Sequence, residues 1–168
     1  SGECNNYPLL SHIASFGKPV ILSTGMNDIA SISRSVKILK DAKVDFALLH
    51  CTSMYPTPYD KVRLGALHEL NDTFKTEVGL SDHSIGNYTS FAATALGASI
   101  IEKHFTSDKT WPGPDISISI DPQELADLIT GCNAIHEAIG GNKNILLEEK
   151  VTIDFAYASV VTIQPIRK

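Results

Sequence analysis

No apolar run in the 168-residue chain approaches the roughly 20 residues needed to span a bilayer, so no membrane is expected among its partners. Cysteine is sparse and unpaired. Cys4, Cys51 and Cys132 are odd in number, widely separated and without CxxC spacing, which excludes a zinc ribbon or a redox pair and predicts the reduced thiols of a cytoplasmic protein. Basic surplus is missing too: the net charge of -5 argues against nucleic acid as a partner. The opening SGECNNYPLL has neither the basic start nor the apolar core of a signal peptide. What remains, 43% hydrophobic and 20% charged residues, predicts one globular domain with a real core.

Short apolar runs alternate with longer stretches of helical periodicity. KPVILS (18–23) reads as a buried strand, and a helix follows over 28–42 with Ile29, Ile32, Val36 and Leu39 on one face and Asp28 as its cap. VDFALLHC (44–51) is the second strand, followed by the proline-punctuated loop TSMYPTPYD and a helix over 61–70. EVGLSD (77–82) is the third, with a helix over 88–96 that Asn87 is placed to cap. SIIEKHF (99–105) is the fourth, after which DKTWPGPD is loop and 121–139 a long helix closed by Gly140 and Gly141. Alternation with short connections predicts parallel strands joined by right-handed crossovers.

No glycine-rich phosphate loop follows the first strand, which disfavours an open nucleotide-binding sheet. The four strands recur at intervals suited to a (β/α)8 barrel, but only four units fit, so the fold class is an α/β half-barrel. Its strand ends carry the chemistry: Ser23-Thr24-Gly25, His50-Cys51-Thr52-Ser53, Ser81-Asp82-His83 and Glu102-Lys103-His104. A lone histidine at a strand end is more often a hydrogen-bonded structural residue than a ligand. Two on neighbouring strands, about 4.8 Å apart, can aim at one point, which makes His83 and His104 a candidate two-imidazole metal site for manganese, magnesium or zinc. The remaining His12, His68 and His136 fall in predicted helices without an assigned role, and His50 is either packed or pocket-facing.

STGM, HCTSMYPTPYD, GLSDHSIGN, ALGASIIEKHF and PGPD, in this order and spacing, resemble the N-acetylneuraminate (sialic acid) synthase family. The resemblance runs from SGECNNYPLL to FAYASVV, essentially the whole chain. It implies a transferase that condenses phosphoenolpyruvate with an N-acetylhexosamine, typically N-acetylmannosamine, in a metal-dependent TIM barrel of a homodimeric full-length protein. It also implies that His83 and His104 hold a divalent ion, usually Mn2+ with Mg2+ as the other candidate. Ser1, Ser23 and Ser81 match serines that contact phosphoenolpyruvate, with the backbone amides of Thr24 and Gly25 as further donors. Tyr55, Asp115 and Glu3 match positions near the sugar. Ser53 stands where some members have asparagine and synthases for other nonulosonates have serine. Asp82 and Glu102 are candidates to orient the two imidazoles, with alternate pleating as the factor that would turn Glu102 away. Phe155 and Tyr157 either wall the site or belong to a packed linker.

By the same resemblance, residues 1–150 form the C-terminal half of the catalytic barrel. Residues 151–168 are a linker toward an antifreeze-like domain outside this chain, and the N-terminal barrel half supplies a catalytic glutamate and further phosphate contacts. Two other readings stay open. A non-catalytic half-barrel would act only with a complementary chain, and an unrelated metal hydrolase would need a third protein ligand beside the histidines.

Overall fold

The computed structural model describes residues 1–167. Four strands, β1 (Val20–Ser23), β2 (Phe46–Cys51), β3 (Glu77–Asp82) and β4 (Ile100–Lys103), form one parallel sheet in sequence order. Each crossover carries helix: α2 (Ile29–Asp41) between β1 and β2, α3 (Tyr59–Val62) and α4 (Ala66–Phe74) between β2 and β3, and α5 (Tyr88–Ala95) between β3 and β4. The helix α1 (Tyr7–Ala14) precedes the sheet, while α6 (Pro122–Ala138) and α7 (Lys150–Ala156) follow it. This is the half-barrel that the spacing of the apolar runs predicts.

Side chains alternate across a strand, and one face supplies the core. Leu48 of β2 and Val78 of β3 pack against Ile32 and Val36 of α2 and Leu70 and Phe74 of α4. Leu80 joins Leu67 of α4 and Ala93 of α5, with Ile101 of β4 against them. Leu10 and Ala14 bring α1 onto Leu39 of α2. Burying these faces against the sheet fixes the strand register and so determines which residues look the other way, into the barrel interior. That interior face presents Ser23, Cys51, Ser81 and Glu102 at successive strand ends, aligned by the pairs Ser23↔Leu49, Cys51↔Ser81 and Ser81↔Glu102.

Several elements differ from the sequence expectation. The helix over 61–70 is two helices, because Arg63 takes a left-handed conformation at φ 56° and ends α3. Asn87 does not cap α5 with its side chain: Nδ2 donates to the Glu124 carbonyl at 2.9 Å, tying α5 to α6, and Oδ1 is buried without a partner among the described residues. The fourth strand stops at Lys103, so His104 lies one residue beyond it, its carbonyl accepting from Ile120 N at 2.9 Å. The span 151–168 opens within the helix α7, and its final residue, Lys168, lies outside the described residues. Among the described residues no helix is long and apolar enough to cross a membrane.

Candidate functional site

At the C-terminal edge of the sheet, Gly25 follows β1 in a narrow space. A Cβ there would stand 2.5 Å from Ser53 Oγ, 2.7 Å from Ser1 Oγ and 2.9 Å from Cys51 Sγ, closer than real contacts allow. Glycine therefore lets the chain pass through a ring of hydroxyls. Ser1 and Ser23 share a hydrogen bond of 2.8 Å, which completes a polar group of Ser1, Ser23, Ser53 and Cys51 drawn from the N-terminus, β1 and the β2 loop. Thr24 contributes no free amide. Its N–H and Oγ1 both donate to the Leu49 carbonyl, at 2.9 and 2.8 Å, and are spent extending the β1–β2 ladder.

A second group lies over β3 and β4. The His83 and His104 rings are 5.2 Å apart between centroids and inclined by 65°. Tyr55, from the loop after β2, sets its ring 4.2 Å from His83 and 5.8 Å from His104. Asp115 comes within 3.7 Å of His104 Nδ1 through Oδ2. His83 Nδ1 lies 3.0 Å from the Thr52 carbonyl, which can only accept, so Nδ1 carries the proton and Nε2 offers its lone pair. Below them Ser81 Oγ donates to Glu102 Oε1 at 2.7 Å, across the β3–β4 ladder.

Cys51 joins the two groups. Its thiol is 3.8 Å from His83 Nδ1 and 3.8 Å from Ser53 Oγ. Burial pushes the thiol up, but the bonds from His83, Ser1 and Ser53 outweigh it and hold Cys51 down at about 6. Burial pulls the other way on His83, and the bonds to Cys51 and the Thr52 carbonyl nevertheless raise it. Burial, with the charges of Cys51, Asp115 and Glu102, raises Tyr55.

Cys51 lies at one of the strand ends singled out in the sequence, but its place between the two groups was not foreseen there. Counting in twos along β2, from Ala47 through Leu49 to Cys51 and on to Ser53, would have placed it on the interior face.

Other expectations need correction. Asp82 makes no hydrogen bond to the His83 ring, because successive residues at the end of β3 face opposite sides: its carboxylate accepts from Lys103, Thr89, Ser90 and the Ser84 amide on the helix face. Glu102 is not turned away. Two residues before His104, it shares the interior face and takes the Ser81 hydroxyl. His50 is packed, Nε2 donating to the Val62 carbonyl at 2.6 Å, and burial lowers its pKa. Glu3 is exposed and accepts from Asn6 Nδ2 at 2.6 Å, and among the described residues no hydrogen bond joins it to the histidine group. Phe155 and Tyr157 are also exposed, and neither walls the site among the described residues.

Four parallel βα units with hydroxyls, a thiol and two imidazoles gathered at their C-terminal ends define one half of a TIM-type barrel and its polar face. A family model described as the NeuB family matches residues 1–144, and the chain belongs to that family. N,N'-diacetyllegionaminic acid synthase of Campylobacter jejuni is 44% identical over 172 residues, covering 100% of this chain and 52% of the relative. Human N-acetylneuraminate-9-phosphate synthase is 38% identical over 148 residues, covering 88% of this chain and 41% of the relative. A crystal structure of N-acetylneuraminic acid (sialic acid) synthetase from Leptospira borgpetersenii, in complex with citrate, superposes with a TM-score of 0.83 at 38% identity, over 91% of this chain and 54% of that one. The chain spans about half the length of the curated relatives it matches.

Proposed function

We propose that the chain is the C-terminal barrel half of a phosphoenolpyruvate-dependent, C–C bond-forming transferase. It condenses an N-acetylhexosamine, with N-acetylmannosamine as the first candidate, into a sialic acid or related nonulosonate. The observation that carries this reading is the continuity of the hydroxyl group and the histidine pair through Cys51 in one opening. The names of the relatives point the same way.

In this reading, the hydroxyls of Ser1, Ser23 and Ser53, with the Gly25 backbone passing among them, receive the phosphate, since phosphate recognition needs donors rather than a base. Ser81, fixed by Glu102, adds a fourth hydroxyl on the same face. Tyr55 stacks beside His83 and closes one side of the sugar position, and Asp115 accepts from sugar hydroxyls. Glu3 belongs to the sugar end only if the bond to Asn6 is exchanged for one to substrate.

His83 and His104 would hold the divalent ion, Mn2+ with Mg2+ as the alternative. The donor set fits: His83 Nδ1 is engaged by a backbone carbonyl, as in histidines that ligate through the opposite nitrogen, and the neighbouring imidazole faces the same opening. Among the described residues no group of three or more His, Cys, Asp and Glu could hold a metal, and in this reading water and substrate fill the other coordination places. When bound, the ion supplies Lewis acidity at the sugar aldehyde.

The chain's own groups then position phosphoenolpyruvate C3 against the aldehyde carbon. Water adds at C2 of the enolpyruvyl unit, and phosphate leaves by C–O cleavage. Residues 151–168 lead toward an antifreeze-like domain, and the partner of this half is the N-terminal half of the barrel in a homodimeric, cytoplasmic protein. Phosphate release by the full-length chain, followed with N-acetylmannosamine present and withheld, tests the proposal. Release is expected only with sugar, and sugar-independent release would contradict condensation.

A further inference from the structure

Directly behind the two imidazoles, on the helix side of the sheet, lies a buried ion pair. Asp82 and Lys103 are the last residues of β3 and β4, paired in register, and their side chains are only 1% and 2% exposed. Lys103 Nζ donates to Asp82 Oδ2 at 2.9 Å and to the Ser84 carbonyl at 2.8 Å. Asp82 Oδ2 also accepts from Thr89 Oγ1 at 2.6 Å and Ser90 Oγ at 2.9 Å, both in the first turn of α5, while Oδ1 accepts the Ser84 amide at 2.8 Å.

The placement of these bonds is specific. Both backbone groups of Ser84 are gripped, one by each partner of the pair, so His83 is held between two anchored residues. His104 follows Lys103 directly. A single charged contact therefore fixes the backbones on either side of His83 to the residue preceding His104.

Burying two charges where apolar side chains would pack is costly, and such a pair is weak evidence for stability by itself; a better-attested role is to fix register. Every lone-pair direction of Asp82 used here is met by a donor, the condition under which a buried polar network gives one arrangement rather than several.

We propose that Asp82 and Lys103 are positioning residues for the histidine pair, holding the two imidazoles at the mutual spacing that a divalent cation requires. This deepens the reading of His83 and His104 as the metal pair and rests on it. Neither Asp82 nor Lys103 touches the ion. They act through the backbone, and the effect falls on metal affinity rather than on the phosphate end of the site.

The test is Mn2+ titration into metal-free full-length protein, read by the electron paramagnetic resonance signal of free aqueous Mn2+. The double variant Asp82→Asn/Lys103→Met roughly keeps the side-chain volumes while removing both charges and the Lys103 bonds to Asp82 and the Ser84 carbonyl. With far-UV circular dichroism unchanged, its Mn2+ dissociation constant is expected to rise about tenfold, the scale on which loss of a ligand's supporting partner is felt. Ser90→Ala removes one hydroxyl from Asp82, keeps both charges, and is expected to raise the constant a few-fold; it decides the matter if the double variant fails to fold. Wild-type Mn2+ affinity in either folded variant, alongside its loss in His83→Ala, would overturn the positioning role alone. Wild-type affinity in His83→Ala as well would overturn the metal reading on which it rests.

Discussion

Cys51 is the residue at which the two parts of the opening meet, and its chemistry is shared with His83. The buried thiol and the imidazole lie 3.8 Å apart, and each moves the other: the thiol down to about 6, the imidazole upward. Replacing Cys51→Ala removes one of the two bonds that raise His83, so in the metal-free protein the His83 titration midpoint is expected to fall. The ring-proton shift of His83 followed by NMR across pH 5 to 8 checks this, and an unmoved midpoint would show that the Thr52 carbonyl and the Asp82 charge raise it without the thiol. At this scale the sequence revealed the two histidines and the serines, because polar residues at the ends of apolar runs stand out. It placed Cys51 at a strand end without giving it a role, and it misplaced Asp82 and Glu102. Adjacency along the chain suggests partnership, whereas a pleated strand separates neighbours and joins alternate residues.

Strands β3 and β4 are joined at the site end through the Asp82 carboxylate and Lys103. Burial raises Asp82, yet the Lys103 charge and the bonds from Thr89, Lys103 and Ser84 bring it below its ordinary value. A depressed folded pKa stabilises the fold fully above the unfolded carboxylate value near 3.8, and that contribution disappears as pH falls through the lower folded value. Thermal midpoints measured from pH 5 downward are therefore expected to drop through the range below about pH 4, and Asp82→Asn is expected to start lower and show a flatter acid limb. An equally steep limb in Asp82→Asn would assign the acid sensitivity to other carboxylates. All four strands and the long helices were legible because their periodicities are strong. The break between α3 and α4 was not, since it depends on a left-handed, non-glycine Arg63 and on the buried His50 that takes the Val62 carbonyl. Asn87 likewise stands at a cap position in sequence but is drawn to α6 by a contact 37 residues away.

The whole molecule is a curved sheet with two ends. Strands β2 and β3 are flanked on both sides, whereas β1 and β4 each have one neighbouring strand among the described residues; Ile21 on β1 is 59% exposed, while just beyond β4 Phe105 is bridged to Ile120. Parallel edges with apolar side chains invite pairing with another chain. Sedimentation of the isolated 168-residue chain is expected to show concentration-dependent association. A stable, dispersed monomer across the concentration range would indicate that these edges are self-sufficient. The half-barrel was readable from the repeat length, but the completeness of the site was not, because closing a barrel brings together strands that local periodicity does not connect. The most direct test of the account as a whole is sugar-dependent phosphate release from phosphoenolpyruvate by the full-length chain, compared among wild type, His83→Ala and His104→Ala, with and without added Mn2+. The account predicts release that requires both sugar and the divalent ion and falls at least about tenfold in either variant while folding is retained; full, metal-dependent activity in both variants would contradict it.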